Sequence, residues 1–435
     1  MQTLHNHLLT ALAPWRNAPA WHIALSGGLD STVLLHLLAD LAQQHPLPPL
    51  HVIHVHHGLQ AAADAWPDHC RALCAALHLP LQVVQVQVEA GASVEQQARE
   101  ARYRAFEQVL QADEVLLTGQ HREDQAETLL FRLLRGAGLR GLTAMPGHRP
   151  LGRGHLVRPL LEVSRSELLD YARTHSLSWI EDPSNTDTRY SRNFLRHQIF
   201  PALAERWSQA ATNMARSAGH LSEAQGLLDE VAEQDLGAAS TSTEFAWLAL
   251  PSLALAPLQQ LSPARQRNAL QYWLSAWTRL PDSRHWVGWD NLRDTGEQGR
   301  PIWRLTDGEL HRAGGRLWWL SGVWLQPPGS PLDWPDPSQP LLLPGNGTLW
   351  FSGILPQGRY EIRYRQGGEV LLQAQRGQRD LKRLLNEWGL PLFARARLPL
   401  LYRDGQLQAV ANLPGTGEQD WQLHWKPPTS EQRLR

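Results

Sequence analysis

Residues 21–44 read WHIALSGGLDSTVLLHLLADLAQQ, and the order of residue types in this stretch decides the fold of the N-terminal half. The apolar run His22 to Leu25 predicts a strand, Ser26-Gly27-Gly28-Leu29-Asp30-Ser31 a tight turn, and the periodic leucines that follow a helix. A strand that turns through glycine into a helix N-terminus suits an anion. The first helical turn has N–H groups without partners and carries the positive end of the dipole. The turn is not a Walker loop, which needs a Lys, because the chain's lysines are Lys382 and Lys426. A G-x-G-x-x-G dinucleotide loop is absent too. Gly27 and Gly28 let backbone wrap an oxyanion, Leu29 continues the cradle, and Ser26 and Ser31 offer hydroxyls. Asp30 would repel phosphate unless a cation intervened, which makes it the candidate Mg²⁺ ligand; Asp30 and Ser31 also read as helix caps.

Outward from this turn, strands and helices alternate. A second strand is expected over 48–59, a helix over 64–77, a strand over 80–88, a helix over 93–111 and a strand over 114–119. This is a doubly wound α/β pattern with a parallel sheet, whose ligands lie beyond the carboxyl ends of the strands. Four positions then share one edge: the Ser26–Ser31 turn, the histidines at the end of strand two, the turn before Ser93, and Thr118 to His121. His51, His54, His56 and His57 lack an evident third ligand type and read as a strand-end binding position rather than a metal site. After the 114–119 strand, His121, Asp124, Glu127 and Thr128 fall at helical spacings, with both carboxylates on one face. A solvated helix start would look similar, since acids favour that end of the dipole.

These motifs resemble a known group. SGGLDS after a strand is similar to the pyrophosphatase-type PP-loop of the ATP α-hydrolases, which adenylate a substrate and release pyrophosphate. HREDQAET resembles the H-x-D-D-x-x-E-T signature of the tRNA(Ile)-lysidine synthetases and their thiolating relatives, with Glu123 in place of the first Asp. The second strand's end resembles H-V-N-H-G-L-R through His57-Gly58-Leu59, with His56 in place of the amide and Gln60 in place of the basic residue. Arg99, Arg102 and Tyr103 match A-R-x-x-R-Y. Glu181 to Asn185, Arg192 to Arg196, Pro201, LKRLLNEWGLP (381–391) and LPLLYRDGQLQAV (398–410) extend the likeness along the chain.

The resemblance implies an ATP- and Mg²⁺-dependent ligase that joins free L-lysine to the first anticodon cytidine of tRNA(Ile) with a CAU anticodon. It makes Asp30, Arg102, His121, Asp124 and Glu127 the candidate catalytic residues. Ser26 to Ser31 would hold the nucleotide, and Arg135, Arg140, Arg192, Asn193 and Arg196 would contact RNA. The expected domains are a PP-loop domain over 1–215, a helical middle over 216–330 and a small α+β domain over 331–435. The Pro-rich stretch 326–347 reads as a connector, Asp404-Gly405 as a hairpin turn, and the tryptophans of the middle segment as core packing.

Bulk properties set limits. With 42% hydrophobic residues, 435 residues supply cores for two or three domains. No apolar run is long enough to span a membrane and no signal-peptide pattern opens the chain, so a cytoplasmic protein is expected. A homodimer is among the assemblies the sequence allows. A net charge of −1 gives no bulk support for nucleic-acid binding and leaves that to local patches. Cys70 and Cys74, four apart on one helix, suit a buried reduced pair better than a disulfide or a cluster. This disfavours the nearest rival, a tRNA 2-thiolase of the same loop family. A second rival is a nucleotide-binding regulatory module without turnover, which leaves the convergence of His121, Asp124 and Glu127 unexplained.

Overall fold

The structure, a computed structural model, describes residues 2–429 apart from 59–60, 89–93, 282, 297–298, 355, 374–376 and 414–420. Leu59, Gln60 and the turn before Ser93 therefore lie outside the described residues. The chain divides into two compact units, Met1–Leu227 and Leu228–Arg433.

The first unit runs α1 (Gln2–Ala11), β1 (Trp21–Ala24), α2 (Leu29–Gln44), β2 (Leu50–His56), α3 (Trp66–Ala76), β3 (Leu81–Gln85), α4 (Val94–Val109), β4 (Val115–Leu117) and α5 (Arg122–Leu134). Then come α6 (Leu139–Leu142), β5 (His148–Leu151), β6 (Gly154–Val157), α7 (Arg165–Thr174), α8 (Ser191–Phe194), a π-helical turn (Leu195–Ile199), α9 (Phe200–Arg206) and the start of α10 (Ala210–Ala239). The sheet order is β3-β2-β1-β4-β6-β5. All pairs are parallel except the β5–β6 hairpin. β1 lies inside the sheet: Trp21 and Ile23 are buried on one face, His22 on the other is buried against Glu114 (2.9 Å), and β1 is flanked by β2 (Trp21 opposite Leu50) and β4 (Trp21 opposite Val115). The connection after β1 leads to β2 on one side, whereas β4 adds on the other. The crevice between β1 and β4 is thus the topological switch point, where ligands bind in such sheets. α2 packs against this sheet through Leu29, Val33, Leu34, Leu37, Leu38 and Leu41, one apolar face at helical spacing.

The second unit opens with helices. After α10 come β7 (Ser252–Ala254), α11 (Leu255–Gln259), α12 (Pro263–Leu274) and α13 (Val287–Asp294). The helical middle also carries β8 (Ile302–Leu305), β9 (Gly308–Ala313) and β10 (Arg316–Leu320), which with β7 form an antiparallel sheet ordered β7-β10-β9-β8. Trp286, Trp289, Trp303 and Trp319 are buried in its core, so the tryptophans are packing residues. The stretch 326–347 is more than a connector: it holds β11 (Leu332–Trp334) and β12 (Leu341–Leu343), because Trp334 and Leu343 bury in the core of the last domain. There follow β13 (Gly347–Gly353), β14 (Tyr360–Arg363), β15 (Val370–Gln373), β16 (Gly377–Asp380), α14 (Leu381–Glu387), α15 (Leu392–Arg395), β17 (Leu400–Arg403), β18 (Gln406–Val410) and β19 (Trp421–Lys426). Asp404 (φ 50°) and Gly405 (φ 81°) make the β17–β18 turn, both left-handed as a type I′ turn requires. No described helix is long and apolar enough to cross a membrane.

Candidate active site

The turn after β1 has the geometry its residues predict. Gly27 has φ +86°, and a Cβ there would lie 2.7 Å from Ile180 Cδ1. Its carbonyl accepts from Ile180 N at 2.8 Å, tying the turn to the segment before α8. Ser31 Oγ donates to Gly28 O (3.0 Å) and accepts from Ser26 N (3.2 Å), while Gly28 N donates to Ser26 Oγ (3.3 Å). The two hydroxyls are 3.0 Å apart. The serines thus brace a loop that ends at the N-terminus of α2. Below it, buried His54 lies 2.8 Å from Leu25 O through Nδ1, and Cys70 Sγ sits 3.4 Å from that nitrogen.

The loop meets the start of α5 across Gly119. A Cβ on Gly119 would lie 2.9 Å from Asp30 O and 3.1 Å from Ser31 N, so only glycine allows this approach. His121 then stands beside Asp30. Its ring is almost fully buried, with Nε2 3.8 Å from Asp30 Oδ2 and 3.5 Å from Asp124 Oδ2, and Nδ1 2.9 Å from Glu123 Oε2. Glu123 also accepts from Arg165 N at 2.9 Å, which joins the starts of α5 and α7. Burial works against charging His121, but the Glu123 hydrogen bond and the carboxylates of Asp124 and Asp30 outweigh it and hold the imidazolium above its ordinary pKa. Burial raises Asp30, and repulsion from Asp124 adds to it against the pull of His121. Asp30 Oδ1 is buried without a hydrogen-bond partner.

Asp124 takes the His121 N–H at 3.1 Å and so closes the start of α5. Its other oxygen accepts from Arg196 Nη2 at 2.9 Å, and Arg196 also grips Glu127 through Nε (2.7 Å) and Nη2 (3.0 Å). Arg196, expected on RNA, thus places its guanidinium across both carboxylates. Its position comes from the π-helical turn, where Pro201, lacking an N–H, cannot continue the α ladder. Glu127 is 3% exposed, and burial holds its carboxyl above the usual range against the opposing Arg196 bond. Arg192 reaches Thr128 Oγ1 at 3.2 Å. Asn193 donates to Ser184 O and Asp187 O, which folds the 184–187 segment onto α8. Arg135 is exposed and stacks over Phe131, and Arg140 lies half-buried on α6.

Arg102 donates from Nε to His57 Nε2 at 3.2 Å. Burial, then the Arg102 charge, pushes His57 down to about 4, so the ring is a neutral acceptor. Among the described residues no group of three His, Cys, Asp or Glu has the arrangement of a metal centre. A Mg²⁺ ion needs less than that, one or two carboxylates plus substrate phosphates, and Asp30 with its partnerless oxygen fits such a role. Both cysteines are free and buried. Sequence reasoning passed over Gly119, Ile180 and the Arg196 clamp. A Gly directly after a strand was the signal for the first; the others depend on contacts far apart in sequence.

The chain is similar to known proteins along most of its length. The PP-loop domain family matches residues 1–203, the TilS substrate binding domain 253–318 and the TilS substrate C-terminal domain 360–425. The tRNA(Ile)-lysidine synthase of Pseudomonas fluorescens is 62% identical over 99% of this chain and 98% of its own length. That of Pseudomonas putida is 62% identical over 97% and 99%, and that of Coxiella burnetii 38% identical over 93% of each. With a strand–loop–helix turn, an acidic cluster at the switch point and relatives matched along nearly their whole length, the chain belongs to the tRNA(Ile)-lysidine synthase family.

Proposed function

We propose that the chain joins free lysine to C2 of the first anticodon cytidine of tRNA(Ile)(CAU) in two steps, with the switch-point residues dividing the work. This converts an AUG-reading anticodon into one that reads AUA. In the first step O2 of the cytosine attacks the α phosphorus of ATP, and pyrophosphate leaves into the Ser26–Ser31 cradle. Mg²⁺ held at Asp30 would supply positive charge for the departing pyrophosphate. Arg102, oriented by neutral His57, balances charge developing at the α phosphate. In the second step the ε-amine of lysine attacks C2, the C2–N bond forms, the C2–O bond breaks and AMP departs. The ammonium must first give up a proton, and Glu127, whose carboxyl is raised by burial, is the better acceptor. His121 fixes Asp30 and Asp124 relative to each other.

The observation that carries this reading is the Arg196 bridge. Asp124 and Glu127 already hold a cation between them beside the nucleotide loop, so the site is arranged for the ammonium of lysine. Arg196 positions both acids, and Arg135, Arg140 and Arg192 would face RNA, with Asn193 shaping the loop beside them. Residues 1–215 would carry the chemistry, and 216–330 and 331–435 would engage the body of the tRNA, in the cytoplasm where the three substrates meet. The thiolase alternative needs accessible sulfur, whereas burial pushes Cys70 up to about 12 and Cys74 up to about 11. Single-turnover quenching tests the division of labour. Without lysine, AMP-linked tRNA accumulates; with lysine it is consumed. Glu127→Gln should still form the AMP adduct but consume it at least tenfold more slowly. Loss of adduct formation in that variant would move Glu127 to the first step.

A further inference from the structure

Three arginines, Arg99, Arg149 and Arg158, gather around Tyr103, and two more, Arg132 and Arg192, extend the group. Arg99 and Arg149 lie over the Tyr103 ring, their guanidinium carbons 5.0 and 5.1 Å from its centre. Arg158 hydrogen-bonds the phenol. Arg132 and Arg192 continue the group towards α8: burial lowers the Arg132 guanidinium's hold on its proton, and the charges of Arg192 and Arg99 lower it further. Their hydrogen bonds go to neutral oxygens: Arg132 to Gly141 O and Ala144 O, Arg149 to Pro150 O, Arg158 to Pro146 O, Arg192 to Thr128 Oγ1. Such bonds satisfy N–H groups but cancel no charge. Among the described residues no carboxylate forms an ion pair with any of the five. Arg158 is 5% exposed, and its Nε is buried with no partner. In a chain of net charge −1 this is a local concentration of uncompensated positive charge.

We infer that this basket binds a backbone phosphodiester of the RNA beside the nucleotide being modified, an inference that rests on the proposed RNA substrate. Arginine's planar fork suits a phosphate oxygen pair, and such contacts fix the register of a nucleic acid. The triphosphate of ATP is the other anion to consider. Arg158 follows β6, which β4 separates from β1 and its cradle. Two strand spacings are about 10 Å, which sets Arg158 to the β4 side of the loop, the side on which α5 carries Asp124 and Glu127. The phenol reports the field: although burial opposes it, Arg99, Arg158 and Arg149 hold Tyr103 below its ordinary pKa.

Arg99→Gln and Arg149→Gln, singly and together, test this on the full chain. Binding of a tRNA(Ile)(CAU) transcript is followed across a potassium chloride series, and ATP binding is measured without RNA. Each variant should reduce the steepness of log affinity against log salt by roughly one, and the double variant by roughly two. ATP affinity and melting midpoint stay unchanged, and Arg149→Lys, which keeps the charge, retains the parent slope. An unchanged slope in the double variant would overturn the inference, and so would a parallel loss of ATP affinity, which would make this a nucleotide site. The expected slopes in a protein that transfers no lysine would instead sink the proposed reaction and leave the phosphate site standing.

Discussion

Replacing Asp30 with Asn should make the ligand-free protein more stable while disabling its first chemical step. Asp30 Oδ1 is buried with no partner, and Oδ2 comes only within 3.8 Å of His121 Nε2. Desolvating a polar group without a replacement partner costs about 1–3 kcal/mol. The side chain is 33% exposed, so water screens part of this and the lower end applies, about 1 kcal/mol. Asn keeps the shape and removes the charge that Asp124 repels. The expected rise in melting midpoint is about 2–4 °C for a unit of this size. The pH dependence has a definite sign. Burial raises the Asp30 carboxyl, and a raised carboxyl stabilises only below its unfolded pKa, an advantage lost as pH rises through the folded value. The advantage of Asn over Asp is therefore small in acid and full at neutral pH. Adenylation falls by about 10²-fold or more, the usual consequence of losing one charge-stabilising contact. Scanning calorimetry with and without Mg²⁺ and ATP, beside pyrophosphate release, checks both halves. A lower midpoint for the ligand-free variant, with the same stabilisation by Mg²⁺–ATP as the parent, would refute the reasoning.

Other outcomes follow from single contacts. Gly119→Ala puts a methyl against the backbone of Asp30 and Ser31; it should cost about 1–3 kcal/mol in a denaturant melt and slow adenylation more than it weakens tRNA binding. His57, held down at about 4 against an ordinary 6.5, makes the fold lose stability as pH falls through that interval. His57→Gln should flatten the loss by on the order of 1 kcal/mol, read from urea melts across pH. Cys70 and Cys74, with thiols pushed up to about 12 and about 11, should label with a thiol reagent at mildly alkaline pH only as fast as the protein unfolds.

The N-terminal half was legible because its signals are local. A glycine pair between an apolar strand and a leucine-faced helix admits few other structures, and Asp404-Gly405 marked its hairpin for the same reason. The sheet β7-β10-β9-β8 was not legible. The β10 strand Arg316–Leu320 is buried from Leu317 to Leu320, so it lacks the alternation that announces a strand and reads like part of an apolar helix. Strands β11 and β12 hide among prolines and are fixed only by burial of Trp334 and Leu343. At the site, His121, Asp124 and Glu127 could be grouped by helical spacing. The Arg196 clamp could not, because the arginine comes 69 residues after Glu127 and reaches it through a π-helical turn that no short-range pattern encodes. Arginine near a nucleotide loop suggested RNA; only the fold showed which arginines have carboxylates and which have none.

The reaction itself is tested most directly by incubating the protein with ATP, radiolabelled lysine and a tRNA(Ile)(CAU) transcript, then digesting the RNA to nucleosides. Label should appear in the first anticodon cytidine, one lysine per tRNA, with AMP and pyrophosphate released in equal amount. ATP turnover with no label in that nucleoside, or label elsewhere in the RNA, would contradict the assignment.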